Sequence, residues 1–249
     1  MQRYFINSNQ LVDDKATITG EDVHHITTVM RAKVGDELLL VCDAQVTYLV
    51  AILTMSKTEV TVQIMAEKRE NVELPIAVTI AHGITKGDKF DLVVQKGTEC
   101  GAGTFLPVAM KRSVAKIDPA KAAKKVERWQ KISLEAARQA HRQHVPAVMT
   151  PVDIKDLVAM TKDYDMCLFA YEGFDEASRK GLATAVNQLK PGARLLVLVG
   201  PEGGIDQTEV AHLTSAGFLS IGLGPRILRT ETAPIYILSA LSYALEVSR

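Results

Sequence analysis

Apolar and polar residues follow two different rhythms along this chain. Up to about residue 70 the rhythm is that of short strands. Glu37–Cys42 and Thr47–Leu53 are apolar runs separated by a turn at Asp43–Gln45, and Thr58–Met65 alternates β-branched with polar residues. One helix interrupts them. Val23, Ile26, Val29 and Met30 share a helical face, and Lys33-Val34-Gly35-Asp36 turns the chain into the next strand. Strands with one helix predict a small β-barrel.

Beyond residue 71 the rhythm alternates between strand and helix. Strands are predicted at Val78–Ala81, Thr104–Val108, Asp165–Tyr171, Leu195–Val199 and Leu219–Gly222. Helices are predicted at Lys86–Gly97, Asp118 to about His144, Ser178–Leu189, Thr208–Ala216 and Thr232–Val247. Asp118-Pro119 reads as an N-cap followed by proline at the first helical position. This half is therefore an α/β domain with a mainly parallel sheet. The boundary falls near Arg69–Pro75, which gives domains at 1–71 and 72–249.

Composition adds little to this picture. The chain has 249 residues, 47% of them hydrophobic and 23% charged, with 29 basic and 29 acidic side chains. A nucleic-acid partner must therefore be argued from where the charges sit. Residues 1–70 hold seven basic and ten acidic side chains, so the excess of positive charge lies in the second half. It gathers on the long helix, where Lys121, Lys124, Lys125, Arg128, Lys131, Arg138 and Arg142 stand with only Glu127 and Glu135. Such a run is as readily a solvated face as a binding face. Cys42, Cys100 and Cys167 are odd in number and widely spaced, which argues against disulfides and a zinc site and favours reduced thiols in a cytoplasmic protein. The first residues lack a signal-peptide apolar region, and no apolar run is long enough for a membrane span.

Three strand ends carry the candidate chemistry. Leu195–Val199 runs into Gly200-Pro201-Glu202-Gly203-Gly204-Ile205, where glycines allow backbone N–H groups close to a ligand. The loop matches neither GxGxxG nor a P-loop, so a phosphate cradle is not expected. Leu223–Pro234, LGPRILRTETAP, places Arg226, Arg229 and Glu231 in one loop after the next strand, more charge than a structural turn requires. Leu168–Gly173 ends a third strand with Glu172, and the three ends together would wall one pocket.

GPEGGI at 200–205 with LGPRILRTETA at 223–233 resembles the ribosomal RNA small subunit methyltransferase E family of the SPOUT superfamily. Collinear matches extend the resemblance over essentially the whole chain: RYF at 3–5, HHI…VMRAKVGD at 24–36, GITKGDKFDLVVQKGTE at 83–99 and EAARQAHRQHVP at 135–146. The resemblance implies an N-terminal PUA-like RNA-binding barrel and a C-terminal SPOUT domain threaded into a deep trefoil knot, which no pattern argument predicts. It also implies a homodimer that binds S-adenosyl-L-methionine and methylates N3 of a uridine in small-subunit (16S) ribosomal RNA. One departure is Lys96-Gly97-Thr98-Glu99-Cys100-Gly101, where the family reads close to KATELG; glycine costs a helix up to ~1 kcal/mol relative to alanine.

The cofactor would then rest on Phe169, Ala170, Val199, Gly200, Glu202, Gly203, Ile221, Leu223, Gly224 and Leu228. Arg229 would stabilise the uridine anion that develops as N3 loses its proton, and Glu172, Glu202 or Glu231 would serve as general base. Arg3, Arg31, Lys86, Lys111, Arg112, Arg138, Arg142 and Arg226 are candidates for RNA contact. His24 and His25 read as partly buried structural histidines. Neither metal nor membrane is expected as a partner. Two other readings are an RNA-binding assembly factor without catalysis, which the intact loops argue against, and a nicotinamide-dependent oxidoreductase, which lacks its fingerprint here.

Overall fold

The computed structural model describes residues 1–43, 45–69, 72–115, 118–172 and 176–248, without the side chains of Pro119 and residues 176–180. The chain divides into two compact units, Met1–Glu73 with His141–His144, and Leu74–Ala140 with Val145–Arg249.

The first unit is a curled sheet of six strands. These are β1 (Arg3–Ile6), β2 (Leu11–Val12), β3 (Lys15–Thr19), β4 (Glu37–Cys42), β5 (Thr47–Met55) and β6 (Glu59–Lys68), in the order β1-β4-β5-β6-β3-β2. Only β1 and β4 pair in parallel. Register shifts between β5 and β6 at Leu49/Val50 and Ile52/Thr54 add the local twist that lets the sheet curl. Alternate residues point to one core, Tyr4, Ile18, Leu38, Leu40, Val50, Ile52, Val60 and Val62 among them. Helix α1 (Glu21–His24) and the π turn His25–Val29 add Val23 and Ile26 to it. His25 is partly buried with Nδ1 2.9 Å from the Tyr4 hydroxyl, as a structural histidine should be; His24 is exposed.

The segment 141–144 belongs to this unit because a buried ion pair holds it. The Arg142 guanidinium donates to Glu73, with Nε 3.0 Å from Oε2, and the backbone N–H groups of Gln143 and His144 donate to Glu73 Oε1 at 2.8 and 3.0 Å. Burial would raise the Glu73 carboxyl, but Arg142 and these two amides hold it below its ordinary value. Arg3 donates to the Arg142 carbonyl at 3.3 Å. Arg3 and Arg142, at 3% and 4% exposure, are thus structural ions and not the phosphate contacts expected of them.

The second unit is a seven-stranded parallel sheet with helices on both faces. Its elements are β7 (Ala77–Gly83), α2 (Lys89–Glu99), β8 (Thr104–Ala109), α3 (Pro119–Gln139), β9 (Ala147–Val148), β10 (Val152–Asp153), α4 (Ile154–Ala159), β11 (Met166–Ala170), α5 (Glu176–Gln188), β12 (Arg194–Val199), α6 (Gln207–Ser215), β13 (Leu219–Ile221) and α7 (Thr232–Ser242). Strand order is β10-β8-β7-β12-β11-β13, with β9 also on β8. Val78, Ile80, Leu195, Val197 and Leu168 face α2 and α7 through Phe90, Val94, Ile237 and Leu238. Ala81, Leu106, Leu196, Leu198 and Phe169 face Leu157 and Leu213 from the other side. Runs that are apolar at every position follow from burial on both faces.

Two helix ends differ from the expected ones. Helix α2 starts at Lys89 because Gly87 turns the chain at φ +67°, and α3 stops at Gln139 because His141 takes φ +56°. The Asp118 carboxylate caps α3 by accepting from Ala120 N at 3.0 Å. Gly97 in α2 also has a cause. A Cβ there would lie 2.7 Å from Cε1 of the buried Phe105, so a ring from β8 occupies the place of the alanine methyl. After β13 the chain returns to the ends of β7 and β12, where Thr230 meets His82 and Gly200, before α7 packs on α2.

Candidate functional site

A cavity of about 430 Å³ opens at the carboxyl ends of β11, β12 and β13. Ligands of open parallel sheets collect at such ends, because the loops there are free of the sheet's own hydrogen bonding. Three loops wall it, Ala170–Glu172, Val199–Ile205 and 222–231, with Lys89 from the first turn of α2 at one side. All of these belong to the second unit.

The Val199–Ile205 wall is tied down through the Glu202 carboxylate, the Gly200 and Gly203 carbonyls and the Gly204 N–H. Glu202 Oε1 accepts from Lys89 Nζ at 3.0 Å and from Lys86 N at 3.2 Å. Partial burial alone would raise the Glu202 carboxyl, but its own backbone N–H, Lys89 and Lys86 together hold it below the ordinary value. Gly204 N donates to Pro201 O at 2.9 Å. Asp206 caps α6 through Thr208 N at 3.1 Å, and Glu209 returns the bond by accepting from Asp206 N at 3.1 Å. Arg112 reaches the Gly203 carbonyl and Asp206, both at 3.4 Å, while Lys111 N donates to Glu209 Oε1 at 2.8 Å. Gly203 is required by this contact: a Cβ would stand 2.9 Å from the Arg112 carbonyl oxygen. The glycine therefore admits a neighbouring backbone as well as lining the cavity, where the sequence suggested approach of a ligand alone.

The 222–231 wall is the opposite case. Among the described residues, no backbone N–H from 222 to 231 donates to another backbone group. Arg226 and Arg229 line the cavity, are exposed, and have no ion pair among the described residues. Glu231 Oε2 is buried without a hydrogen-bond partner. The wall is anchored at Thr230, whose hydroxyl donates to Gly200 O at 2.5 Å and lies 3.2 Å from His82 Nε2. His82 is fully buried at the end of β7, with Nδ1 2.7 Å from Gly83 O and Nε2 3.1 Å from Thr230 O. Burial pushes its imidazole below the ordinary value, against the opposing pull of the Thr230 and Gly83 carbonyls and the Glu202 and Glu231 carboxylates. The His82 side chain thus joins the end of β7 to the anchor of the second wall, and a Cβ on Gly83 would strike Pro201 N at 2.4 Å, so the ends of β7 and β12 touch directly.

Of the cofactor residues expected from sequence, Ala170, Val199, Gly200, Glu202, Gly203, Leu223, Gly224 and Leu228 do line the cavity, as do Glu172, Arg226 and Arg229. Phe169 and Ile221 do not: Phe169 points to the opposite face of the sheet from Val199, and both are buried in the core. Gly173 lies outside the described residues. Lys111 and Arg112 are committed to α6 and the glycine loop, and Arg138 is largely buried beside Glu135. Lys86 is exposed at the rim, and Arg31 is exposed in the first unit at φ +53°. Lys89 and His82 escaped the sequence reading. Lys89 sits one turn after Lys86 in a stretch that reads as ordinary helix surface, and His82 lies inside an apolar strand.

The walls suit an adenosyl group. Val199, Ile205, Leu223 and Leu228 offer apolar surface, and the backbone N–H groups of 222–231 that donate to no other backbone group among the described residues and the lone Glu231 oxygen offer polar edges. Among the described residues no cluster of potential ligands could hold a metal, and no helix is long and apolar enough to cross a membrane.

Comparison with known proteins points the same way. Residues 72–242 match the family model of an RNA methyltransferase domain, and residues 18–65 match that of an RNA methyltransferase PUA domain. The chain is 45% identical to the ribosomal RNA small subunit methyltransferase E of Bacillus subtilis, over 100% of this chain and 99% of that one. It resembles the crystal structure of the Neisseria gonorrhoeae protein of the same description bound to S-adenosylmethionine, with TM-score 0.84 and 27% identity over 97% of each chain. A Legionella pneumophila structure described as a methyltransferase with bound S-adenosylmethionine gives TM-score 0.83 and 28% identity over 97% of each chain.

Proposed function

Because the chain belongs to the ribosomal RNA small subunit methyltransferase E family, we propose that it transfers a methyl group from S-adenosylmethionine to N3 of a uridine in small-subunit (16S) ribosomal RNA. The observation that carries this reading is the pairing of a cavity suited to an adenosyl group with an arginine, Arg229, that the fold leaves unengaged. The Val199–Ile205 and 222–231 loops would hold the cofactor, which supplies a methyl already activated by the positive charge on sulfur. The remaining work is to present N3 and remove its proton, since the neutral imide is a poor nucleophile.

Arg229 is the group for the anion that develops as the proton leaves. A cation facing the reacting atom favours that charge more in the transition state than in the ground state. Glu202 is a poor base here because Lys89 and Lys86 stabilise its ionised form. Glu172, exposed at the rim with Oε1 3.9 Å from where a Gly204 Cβ would stand, is the carboxylate free to accept the proton. The PUA-like first unit would contribute RNA affinity through exposed groups such as Arg31. Helix α7 and the turn after it expose Tyr236, Tyr243 and Val247 at 41, 64 and 69%, an apolar stripe that a second copy of the chain would cover in a homodimer.

Mass mapping of ribosomal RNA tests the reaction. A cytoplasmic extract from a strain lacking this chain should yield 16S RNA without one N3-methyluridine, and the wild-type gene should restore it. A full complement of methylated uridine in the deletion strain, or restoration of a methyl at another atom, would refute the assignment.

A further inference from the structure

The long helix α3 raises a question that the pocket does not answer, namely which of its many cations the fold leaves for a partner. Neutralisation runs from its C-terminal end upward. Arg142 beyond the helix pairs with Glu73, Arg138 with Glu135 at 2.7 Å, Lys131 with Glu127 at 3.8 Å, and Arg128 with Asp88 at 3.2 Å and with Asp91. Lys121, Lys124 and Lys125, in the first two turns, are exposed and have no ion pair among the described residues.

Their place matters more than their number. At 100° per residue, Lys121, Lys124 and Lys125 fall on the flank of α3 that Arg128 turns toward α2, on the other side from Gln130. Arg128 meets Asp88, the residue just before α2, and Lys89 next to it lines the cavity and holds Glu202. With a rise of about 1.5 Å per residue, Lys121–Lys125 lie roughly 5–10 Å along the axis from Arg128. The lysine flank and the rim of the cavity therefore lie in one unit, with residues 86–89 between them, where Arg128 is neutralised by Asp88 and Asp91 and Lys89 by Glu202, so the three unpaired lysines are the positive charge left over next to the rim.

We infer that Lys121, Lys124 and Lys125 grip the phosphates of the RNA strand that leads into the cavity. The inference rests on the proposed RNA substrate and adds to it the surface along which the strand approaches. Exposed lysines that pair with no acid among the described residues bind polyanions by releasing their counterions, and the contacts carry position but no sequence. RNA is the partner to which these lysines are matched because they are the unpaired cations of the unit that holds the cavity in which a base would react, one helix start away from its rim.

The experiment compares two triple variants of the full chain. One is Lys121→Gln, Lys124→Gln, Lys125→Gln. The control, Lys155→Gln, Lys162→Gln, Lys190→Gln, removes the same charge from exposed lysines elsewhere in the second unit. The probe is protein-free 16S RNA and assembled small subunits, titrated between 0.05 and 0.5 M salt on the order of five points each. The α3 variant should bind on the order of ten- to a hundredfold more weakly at ~0.1 M salt, with a log–log salt slope shallower by about 2. Its S-adenosylmethionine affinity and its single-turnover rate at saturating RNA should match wild type, and the control should keep the wild-type slope. Equal losses in both variants, or no loss in the α3 variant, would overturn the inference even though wild type methylates the RNA. A wild-type chain that methylates neither RNA would instead count against the proposed function.

Discussion

The two long walls of the cavity differ in how much of their chemistry the fold consumes. The Val199–Ile205 loop spends Glu202 on Lys89 and Lys86, the Gly203 carbonyl on Arg112, and the Asp206 carboxylate on the cap of α6. The 222–231 loop is fastened at Thr230 and leaves Arg226, Arg229 and one oxygen of Glu231 without such partners among the described residues. A polar group satisfied inside the fold sets shape, and one left over is available for a ligand or a developing charge. In the proposed reaction the first wall would be a platform and the second would carry the chemistry.

The largest expected effect is at Arg229. Arg229→Ala should lower the single-turnover methylation rate by roughly a hundred- to a thousandfold, with S-adenosylmethionine and RNA affinities little changed. Arg229→Lys should recover part of the rate, since lysine supplies the charge without the planar fork. A rate that returns to wild type at saturating RNA would make Arg229 a phosphate contact and break the contrast between the walls.

A smaller effect is expected at the anchor. Thr230→Val removes the hydroxyl bonded to Gly200 O and set against His82, leaving a buried carbonyl short of a donor, which costs about 1–3 kcal/mol. Urea denaturation should show that loss, and calorimetry should show S-adenosylmethionine affinity down by about tenfold as the second wall loosens. Undiminished affinity in a destabilised variant would mean that the anchor serves folding alone.

The smallest effect concerns pH. The folded Glu73 carboxyl sits below its ordinary value, so the unfolded chain binds more protons between the two values. The stabilisation from Glu73 is fully present above about pH 4.5 and is lost as pH falls through the lower folded value. Glu202 has the same sign, screened by its greater exposure. Urea midpoints followed from pH 6 down to about 3 should fall less steeply for Glu73→Gln than for wild type. Parallel curves would remove Glu73 from the acid-labile groups.

What the sequence made legible was governed by locality. The five longer parallel strands and the Asp118 cap of α3 depend on neighbours in sequence and appear where the pattern places them, whereas the two-residue strands β9 and β10 and the short helix α4 are too brief to leave a period and were not read. Arg3 and Arg142 were misread because the carboxylate that buries Arg142 lies 69 positions away and leaves no local trace. His82 was missed because a buried histidine in an apolar strand acquires its meaning from Thr230, 148 positions on. Gly203 carries a second constraint that the sequence does not show, since the backbone that crowds it arrives from beyond the end of β8.

The contrast between the walls is tested most directly by measuring binding and chemistry side by side in one variant from each. Gly203→Val drives a side chain into the Arg112 backbone and deforms the platform, while Arg229→Ala removes a charge from the second wall. Calorimetric affinity for S-adenosylmethionine should fall in Gly203→Val and hold in Arg229→Ala. Single-turnover rate at saturating cofactor and RNA should do the reverse, holding within about tenfold in Gly203→Val and falling at least a hundredfold in Arg229→Ala. Affinity and rate falling together by the same factor in both folded variants would contradict the division of labour proposed for the two walls.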